Sequence, residues 1–130
     1  MSTGDVASAM STEVLSVGPG HTLRQVAQVL AAKKVGSAVV HDTDGSGVGI
    51  ITERDILRAV AAELDLDAET ASDHQTTDVV FAAPTWTLHE AADAMKRGGF
   101  RHLVVLHDGE VAGIISVRDI VKVWAADHQH

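Results

Sequence analysis

Thr52, Arg54 and Asp55 stand within four residues of one another, and Ser116, Arg118 and Asp119 repeat that spacing further along the chain. A hydroxyl, a guanidinium and a carboxylate so placed at a helix start can cap the helix and hold an anion. Each set follows an apolar run that opens on glycine, Gly49-Ile50-Ile51 in one copy and Gly113-Ile114-Ile115 in the other. The run reads as a buried strand. The hydroxyl residue then falls where a helix N-cap belongs, with the aspartate three residues on. A helix N-terminus presents free N–H groups and the positive end of the dipole, which suits an anion. Two such junctions predict two ligand sites.

A plainer reading applies to either copy alone. Thr52 and Asp55 have capping-box spacing, with Asp in place of the usual Glu or Gln at N3. The comparison of the copies argues for more than capping. Glu53 is replaced by Val117, whereas the arginine and the aspartate persist. An arginine in the first helical turn opposes the dipole, at a cost of about 0.3–1 kcal/mol. A bound anion would turn that cost into a charge-assisted contact. The bland alternative for each arginine is a solvated or Asp-paired side chain.

The elements that position these residues can be read in order. Residues 1–4 form a loose start, and Asp5 to Met10 suits a short helical turn. Val14 to Val17 is a strand candidate ended by Gly18-Pro19-Gly20. Thr22 and Gln25 cap a helix whose apolar face is Leu23, Val26, Ala27 and Leu30, with Lys33 and Lys34 near its end. Ser37 to His41 is a strand, residues 42–47 a turn, and Val48 to Ile51 the return strand of a hairpin. The helix from Thr52 to about Glu63 is expected to bury Ile56, Leu57 and Val60. Residues 64–75 are acidic and polar and read as a connection. Val79 and Val80 then open a second strand candidate, stopped by Pro84. Thr87 and Glu90 cap a helix with Leu88, Ala91, Ala92 and Met95 on its apolar face, closed by Gly98-Gly99. His102 to Leu106, the turn Asp108-Gly109 and Val111 to Ile115 form a hairpin. The final helix, from Ser116, carries Ile120, Val121 and Trp124.

These elements are one unit written twice. An offset of 65 separates Val14 from Val79, Pro19 from Pro84, Thr22 from Thr87, Leu23 from Leu88, Ala27 from Ala92 and Val39 from Val104. The offset is 64 from Gly49 to Gly113, Arg54 to Arg118 and Asp55 to Asp119, so one residue is lost inside the hairpin, where a deletion is cheapest. The predicted fold class is α+β, a tandem repeat of two βαββα units packed with pseudo-twofold symmetry, over residues 5–63 and 76–126 with 64–75 connecting them. Units of this size bury only a marginal core alone, so one shared core is expected.

Composition bounds the chemistry. With 45% apolar residues in 130, the chain reads as a globular protein. No apolar run approaches the roughly 20 residues of a membrane span, and the N-terminus lacks a signal-peptide pattern. The absence of cysteine excludes disulfides, thiolate metal sites and thiol nucleophiles, and suits a cytoplasmic protein. A formal charge of −8 argues against nucleic acid as the main ligand. It does not exclude small anions, because a helix terminus and one or two arginines override the global sign locally.

The duplicated βαββα unit, the Gly-apolar-apolar-Ser/Thr-x-x-Asp ending and the acidic connection resemble the CBS domain family, over about Asp5 to Ala126. The chain looks like a stand-alone tandem CBS pair, a Bateman module. The resemblance implies regulatory binding of adenosine-containing molecules (AMP, ADP, ATP, NAD-type dinucleotides, S-adenosylmethionine) in clefts between the two units. It implies that Asp55 and Asp119 accept ribose hydroxyls, that Thr52 and Ser116 lie near ribose or phosphate, and that Arg54 and Arg118 reach the phosphates. It places Val35, Gly36, Ser37 and Ala38, and Phe100, Arg101, His102 and Leu103, beside the base. It assigns backbone groups near Val14, Leu15 and Ser16, and near Val79, Val80 and Phe81, to the adenine edge. An ionised aspartate, an acceptor only, suits two vicinal hydroxyls. Many CBS units carry proline in the middle strand, where this chain has Val39 and Val104. Valine restores an N–H that can close the sheet ladder. Ser37 against His102 makes the two pockets differ, so unequal affinities are expected.

Other features weigh less. Arg101-His102 reads equally as a phosphate contact or as a partly exposed strand pair. His102 and His107 could attract a metal, but no histidine pair has the i, i+4 spacing of a zinc helix, and no metal is expected. His128 and His130 dangle at the C-terminus. Trp86 and Trp124 are expected to be packing anchors rather than stacking platforms. No nucleophile elbow or Gly-rich phosphate loop is visible, so the chain is not expected to be an enzyme. The leading expectation is a nucleotide-sensing module acting on an unidentified regulated protein, and the alternative is an interaction scaffold that binds no nucleotide. The helices carry more apolar face than one small core requires, which predicts a homodimer.

Overall fold

Both repeats fold as a short strand, a helix, a β-hairpin and a second helix, and each is preceded by a four-residue helix. The structure, a computed structural model, describes residues 4–41 and 47–127. Residues 1–3, nearly all of the turn expected over 42–47, and His128 and His130 lie outside them. The first repeat comprises α1 (Val6–Ala9), β1 (Ser16–Val17), α2 (Leu23–Lys33), β2 (Ser37–His41), β3 (Val48–Thr52) and α3 (Glu53–Ala61). The second comprises α4 (Ala71–His74), β4 (Phe81–Ala82), α5 (Leu88–Gly98), β5 (His102–His107), β6 (Glu110–Ser116) and α6 (Val117–Asp127).

Each repeat forms a three-stranded sheet, β1-β2-β3 or β4-β5-β6, with the first pair parallel and the hairpin antiparallel. The first strands are shorter than their apolar runs suggest and lie later, since Val79 and Val80 precede β4. The residue lost between the hairpins has a structural counterpart. Asp108 and Gly109, both at positive φ, make a two-residue turn. A bulge between Val105 and Leu106 then leaves Ala112 without a partner in the ladder.

Capping chemistry sets the helix starts. Thr22 Oγ1 accepts the Gln25 N–H at 3.1 Å, and the Thr22 N–H donates to Gln25 Oε1 at 2.9 Å. Thr87 and Glu90 repeat this box at α5. Residues 64–75 are more than a tether. The carbonyls of Leu66 and Glu69 accept the first N–H groups of α2, those of Arg24 and Leu23, and Asp67 pairs with Arg24 at 2.6 Å.

The packing divides the chain differently from the repeats. One compact unit is Leu15–Val79; the other joins Met1–Val14 to Val80–His130. Each unit therefore takes its short helix from the other repeat. In the first unit, Ala71 and Ser72 donate to the carbonyls of His21 and Pro19, and Thr76 pairs with Ile50. In the second, Val6 and Ala7 donate to Trp86 and Pro84, and Ser11 pairs with Ile114.

Each unit has its own buried cluster. The first gathers Val17, Leu23, Val26, Leu30, Ala38, Val40, Ile51, Ala59 and Ala71; the second Val6, Ala82, Leu88, Ala91, Met95, Leu103, Val105 and Ile115. Where Val26 becomes Ala91, Ala38 becomes Leu103, so a loss of bulk at one core position is accompanied by a gain at another. The exchanged helix completes each cluster through Ala71 or Val6.

Four apolar residues of α3 and α6 are less buried than their helical spacing suggests. Leu57 is 66% exposed, Val60 51% and Val121 53%, and Trp124, expected to be a packing anchor, is 57% exposed. α3 and α6 bury only a narrow strip against their own units, chiefly Ala59, Ile56, Ile120 and Val123. Trp86 does pack against the second cluster.

The exchange explains the glycine that opens each apolar motif. A methyl on Gly113 would come 2.6 Å from the carbonyl oxygen of Ser11, and one on Gly49 would meet the Gln75 side chain and lie 3.0 Å from Thr76 O. Gly113→Ala is expected to cost about 1–3 kcal/mol, because a backbone atom must yield. Gly49→Ala is expected to cost less, since the Gln75 side chain can swing away. Urea denaturation of the two variants checks the ranking.

Candidate functional site

The hairpin brings two sequence-distant stretches together at the start of each second helix. Ser37 pairs with Thr52 across the first hairpin, and His102 with Ser116 across the second. The first amide of α3, on Glu53, donates to Gly36 O at 2.9 Å, and that of α6, on Val117, donates to Arg101 O at 3.0 Å. Gly36 and Ser37 thus lie against Thr52 to Asp55, and Arg101 and His102 against Ser116 to Asp119.

The aspartates close the helix starts. The Thr52 N–H donates to Asp55 Oδ2 at 2.8 Å, the Thr52 hydroxyl lies 3.1 Å from the same oxygen, and the Asp55 N–H donates to Thr52 Oγ1 at 3.3 Å. At α6 the Ser116 N–H donates to Asp119 Oδ2 at 2.8 Å and the Asp119 N–H to Ser116 Oγ at 3.1 Å. The plain capping reading is therefore correct. It is also incomplete, because each carboxylate uses only Oδ2. Among the described residues, Oδ1 of both aspartates carries no hydrogen bond, and both side chains are half-buried. One oxygen holds the helix start, and its twin is unbonded among the described residues.

The same bonds narrow the expected anion site. The first N–H of each helix is taken by the strand and the third by the cap, which leaves the amides of Arg54 and Arg118 without a partner among the described residues. The guanidinium groups of Arg54 and Arg118 are exposed and, among those residues, outside any ion pair.

The remaining expected site residues divide by face. Ala38 and Leu103 are fully buried in the clusters, so only their backbones can meet a ligand. Val35 packs against the first cluster, and the Phe100 ring lies over Gly98. Leu15 and Val80 also pack inward, and their carbonyls accept the N–H groups of Val39 (2.8 Å) and Val104 (3.2 Å). The valines thus close the ladder where proline could not. Ser16 and Phe81 are the exposed residues of the edge strands β1 and β4. Their own N–H and C=O groups face away from the parallel partner, because a ladder residue alternates sides. Val14 and Val79 are half-buried beside these strands.

Glu53 and Val117, absent from the expected set, stand at the first positions of α3 and α6, beside the two caps. Glu53 lies with its carboxylate over Gly36. The signal was present in the sequence as the one charged position of the motif that the duplication did not keep. No three His, Asp or Glu side chains among the described residues gather as a metal-ligand set.

Two βαββα repeats, each ending in a capped strand-to-helix junction, make a tandem α+β fold. The CBS domain model matches residues 4–62 and 71–126, and the chain belongs to the CBS domain family. It is 32% identical over 127 residues to the protein MJ1225 of Methanocaldococcus jannaschii, covering 95% of this chain and 45% of that one. The chain thus spans less than half the length of that relative. It also resembles the solved CBS-domain containing protein ATU1752 of Agrobacterium tumefaciens, with 35% identity, TM-score 0.81 and 95% of each chain covered. The CBS domain protein PAE2072 of Pyrobaculum aerophilum, solved in complex with AMP, is 34% identical with TM-score 0.77, covering 94% of this chain and 98% of that one.

The dual use of the aspartates makes a prediction about the ligand-free protein. Asp119→Ala is expected to lower the unfolding free energy by about 1 kcal/mol through loss of the cap. Asp119→Asn keeps an oxygen acceptor for the Ser116 N–H and is expected to cost only a few tenths of that. Denaturant titrations of the two variants without ligand check this.

Proposed function

We propose that the chain is a regulatory module that binds adenosine-containing nucleotides at the α3 and α6 junctions and signals its occupancy to a partner protein by conformational change. The observation that carries the proposal is the unused Oδ1 of Asp55 and of Asp119, an acceptor beside a capped helix start in both repeats. In this reading Asp55 and Asp119 accept ribose hydroxyls, and the Thr52 and Ser116 hydroxyls lie near ribose or phosphate. Arg54 and Arg118 meet phosphate with guanidinium and free amide together. Ser37 and His102, beside the caps, wall the base, and the edge groups of Ser16 and Phe81 bond its rim. The AMP complex of the P. aerophilum relative supports an adenosine ligand. The module carries no reaction of its own, and we place it in the cytoplasm. Among the described residues no helix is long and apolar enough to cross a membrane.

Thermal melting against AMP, ADP, ATP, NAD and S-adenosylmethionine, with adenine-free phosphates as controls, tests the proposal. A ligand at 100 times its dissociation constant is expected to add about 2.7 kcal/mol. The shift is expected to disappear in the double variant Asp55→Asn with Asp119→Asn. A shift with adenine-free phosphate alone, or none with any nucleotide, would favour the scaffold reading.

That second reading rests on the exposed apolar stripes. Leu57, Val60 and Leu64 recur at i, i+3, i+7 along α3 and beyond its end, and Val117, Val121 and Trp124 at i, i+4, i+7 on α6. Such stripes suit association of two copies of the chain. We propose a homodimer, compatible with either reading. Light scattering at micromolar concentration is expected to give twice the monomer mass, and a single monomer mass would refute the dimer.

A further inference from the structure

The two junctions share their backbone and differ in charge. At the α3 start the order is Glu53, Arg54, Asp55, with Gly36 alongside; at the α6 start it is Val117, Arg118, Asp119, with Arg101 alongside. The first set has two carboxylates against one guanidinium, and the second has two guanidinium groups against one carboxylate. The placement is not incidental to the loop. Glu53 holds its carboxylate over Gly36, where a methyl would come 3.3 Å from Oε1. The position of that glycine belongs in the second repeat to Arg101, whose carbonyl receives the first amide of α6. Among the described residues none of Glu53, Arg54, Arg101 and Arg118 is in an ion pair, so neither set is neutralised by a neighbour.

From this contrast we infer that the α6 junction reads phosphate and the α3 junction selects adenosine ligands without it, with Arg101 and Val117 against Gly36 and Glu53 as the residues that set the difference. The inference rests on the proposed binding of adenosine ligands at these junctions. A phosphate monoester carries close to two negative charges at neutral pH. At α6 it meets the Arg118 amide and two guanidinium forks, the geometry best suited to phosphate oxygens. At α3 the Glu53 carboxylate already sits at the positive end of the helix, and it repels a second anion there. The ribose contact is the same at both, because the Asp55 and Asp119 caps are alike.

The test compares adenosine with AMP on the full chain, by isothermal titration and by amide NMR. Val117→Glu and Glu53→Gln alter exposed positions and leave both caps in place. AMP is expected to move the Arg118 amide at lower concentration than the Arg54 amide, and adenosine to show no such order. Val117→Glu is expected to weaken AMP at α6 by about tenfold while adenosine stays within about twofold, and the effect to shrink with added salt. Glu53→Gln is expected to tighten AMP at α3 several-fold, to about the same degree. Equal losses for AMP and adenosine in Val117→Glu, or an unchanged ratio in both variants, would overturn the assignment while leaving nucleotide binding intact. Failure of the wild-type chain to bind either compound would remove the proposed function and this inference together.

Discussion

One backbone hydrogen bond in each repeat governs the geometry of the rest. The first amide of the second helix donates to the residue that precedes the middle strand, Glu53 to Gly36 and Val117 to Arg101. Such a bond is worth only about 1 kcal/mol net, but it pins the helix start to the sheet. Because of it, Thr52 and Ser116 serve at once as the last residue of a strand and as an N-cap. Because of it also, residues some 15 apart in sequence share one surface. The aspartate is then held by one oxygen, and its other oxygen is left to the outside. Capping and ligand binding are commonly treated as rival explanations for such a residue; here the cap occupies only one of the two carboxylate oxygens.

The exchange of short helices accounts for how each small unit completes its buried cluster. A unit of about 65 residues buries a marginal apolar area by itself, and each unit here is closed by Val6 or Ala71 from the other repeat. The exchanged segment crosses directly over the strand that ends at the junction, through Thr76 on Ile50 and Ser11 on Ile114. That crossing is close enough to exclude a side chain, so glycine at 49 and 113 follows from sterics and not from ligand chemistry. The motif is therefore composite. Its glycine serves docking, its second isoleucine (Ile51 or Ile115) the buried cluster, its hydroxyl and aspartate the cap, and its arginine nothing that folding requires.

The apolar patterns of α3 and α6 show the limit of periodicity. Leu57, Val60, Val121 and Trp124 fall on regular helical spacing, as core residues do, yet they are more than half exposed. An amphipathic pattern reports that a face is apolar. It does not report what covers that face.

The βαββα repeat, both hairpins, four of the caps and the matching of the two junctions were all legible in the chain, because they depend on local spacing: a hydroxyl three residues before an acid or amide, a two-residue turn, an apolar alternation. The ladder closed by Val39 and Val104 was legible for the same reason, since it depends only on the presence of an amide. What the tertiary structure decided is what depends on partners distant in sequence. It assigned α1 and α4 to the opposite repeats, and it turned Ala38 and Leu103 inward. It brought Glu53 over Gly36 and left Arg101 in the matching place, so that two junctions nearly alike in motif differ in sign. No local spacing encodes those outcomes, because each is fixed by which backbone the sheet and the exchanged helix bring alongside.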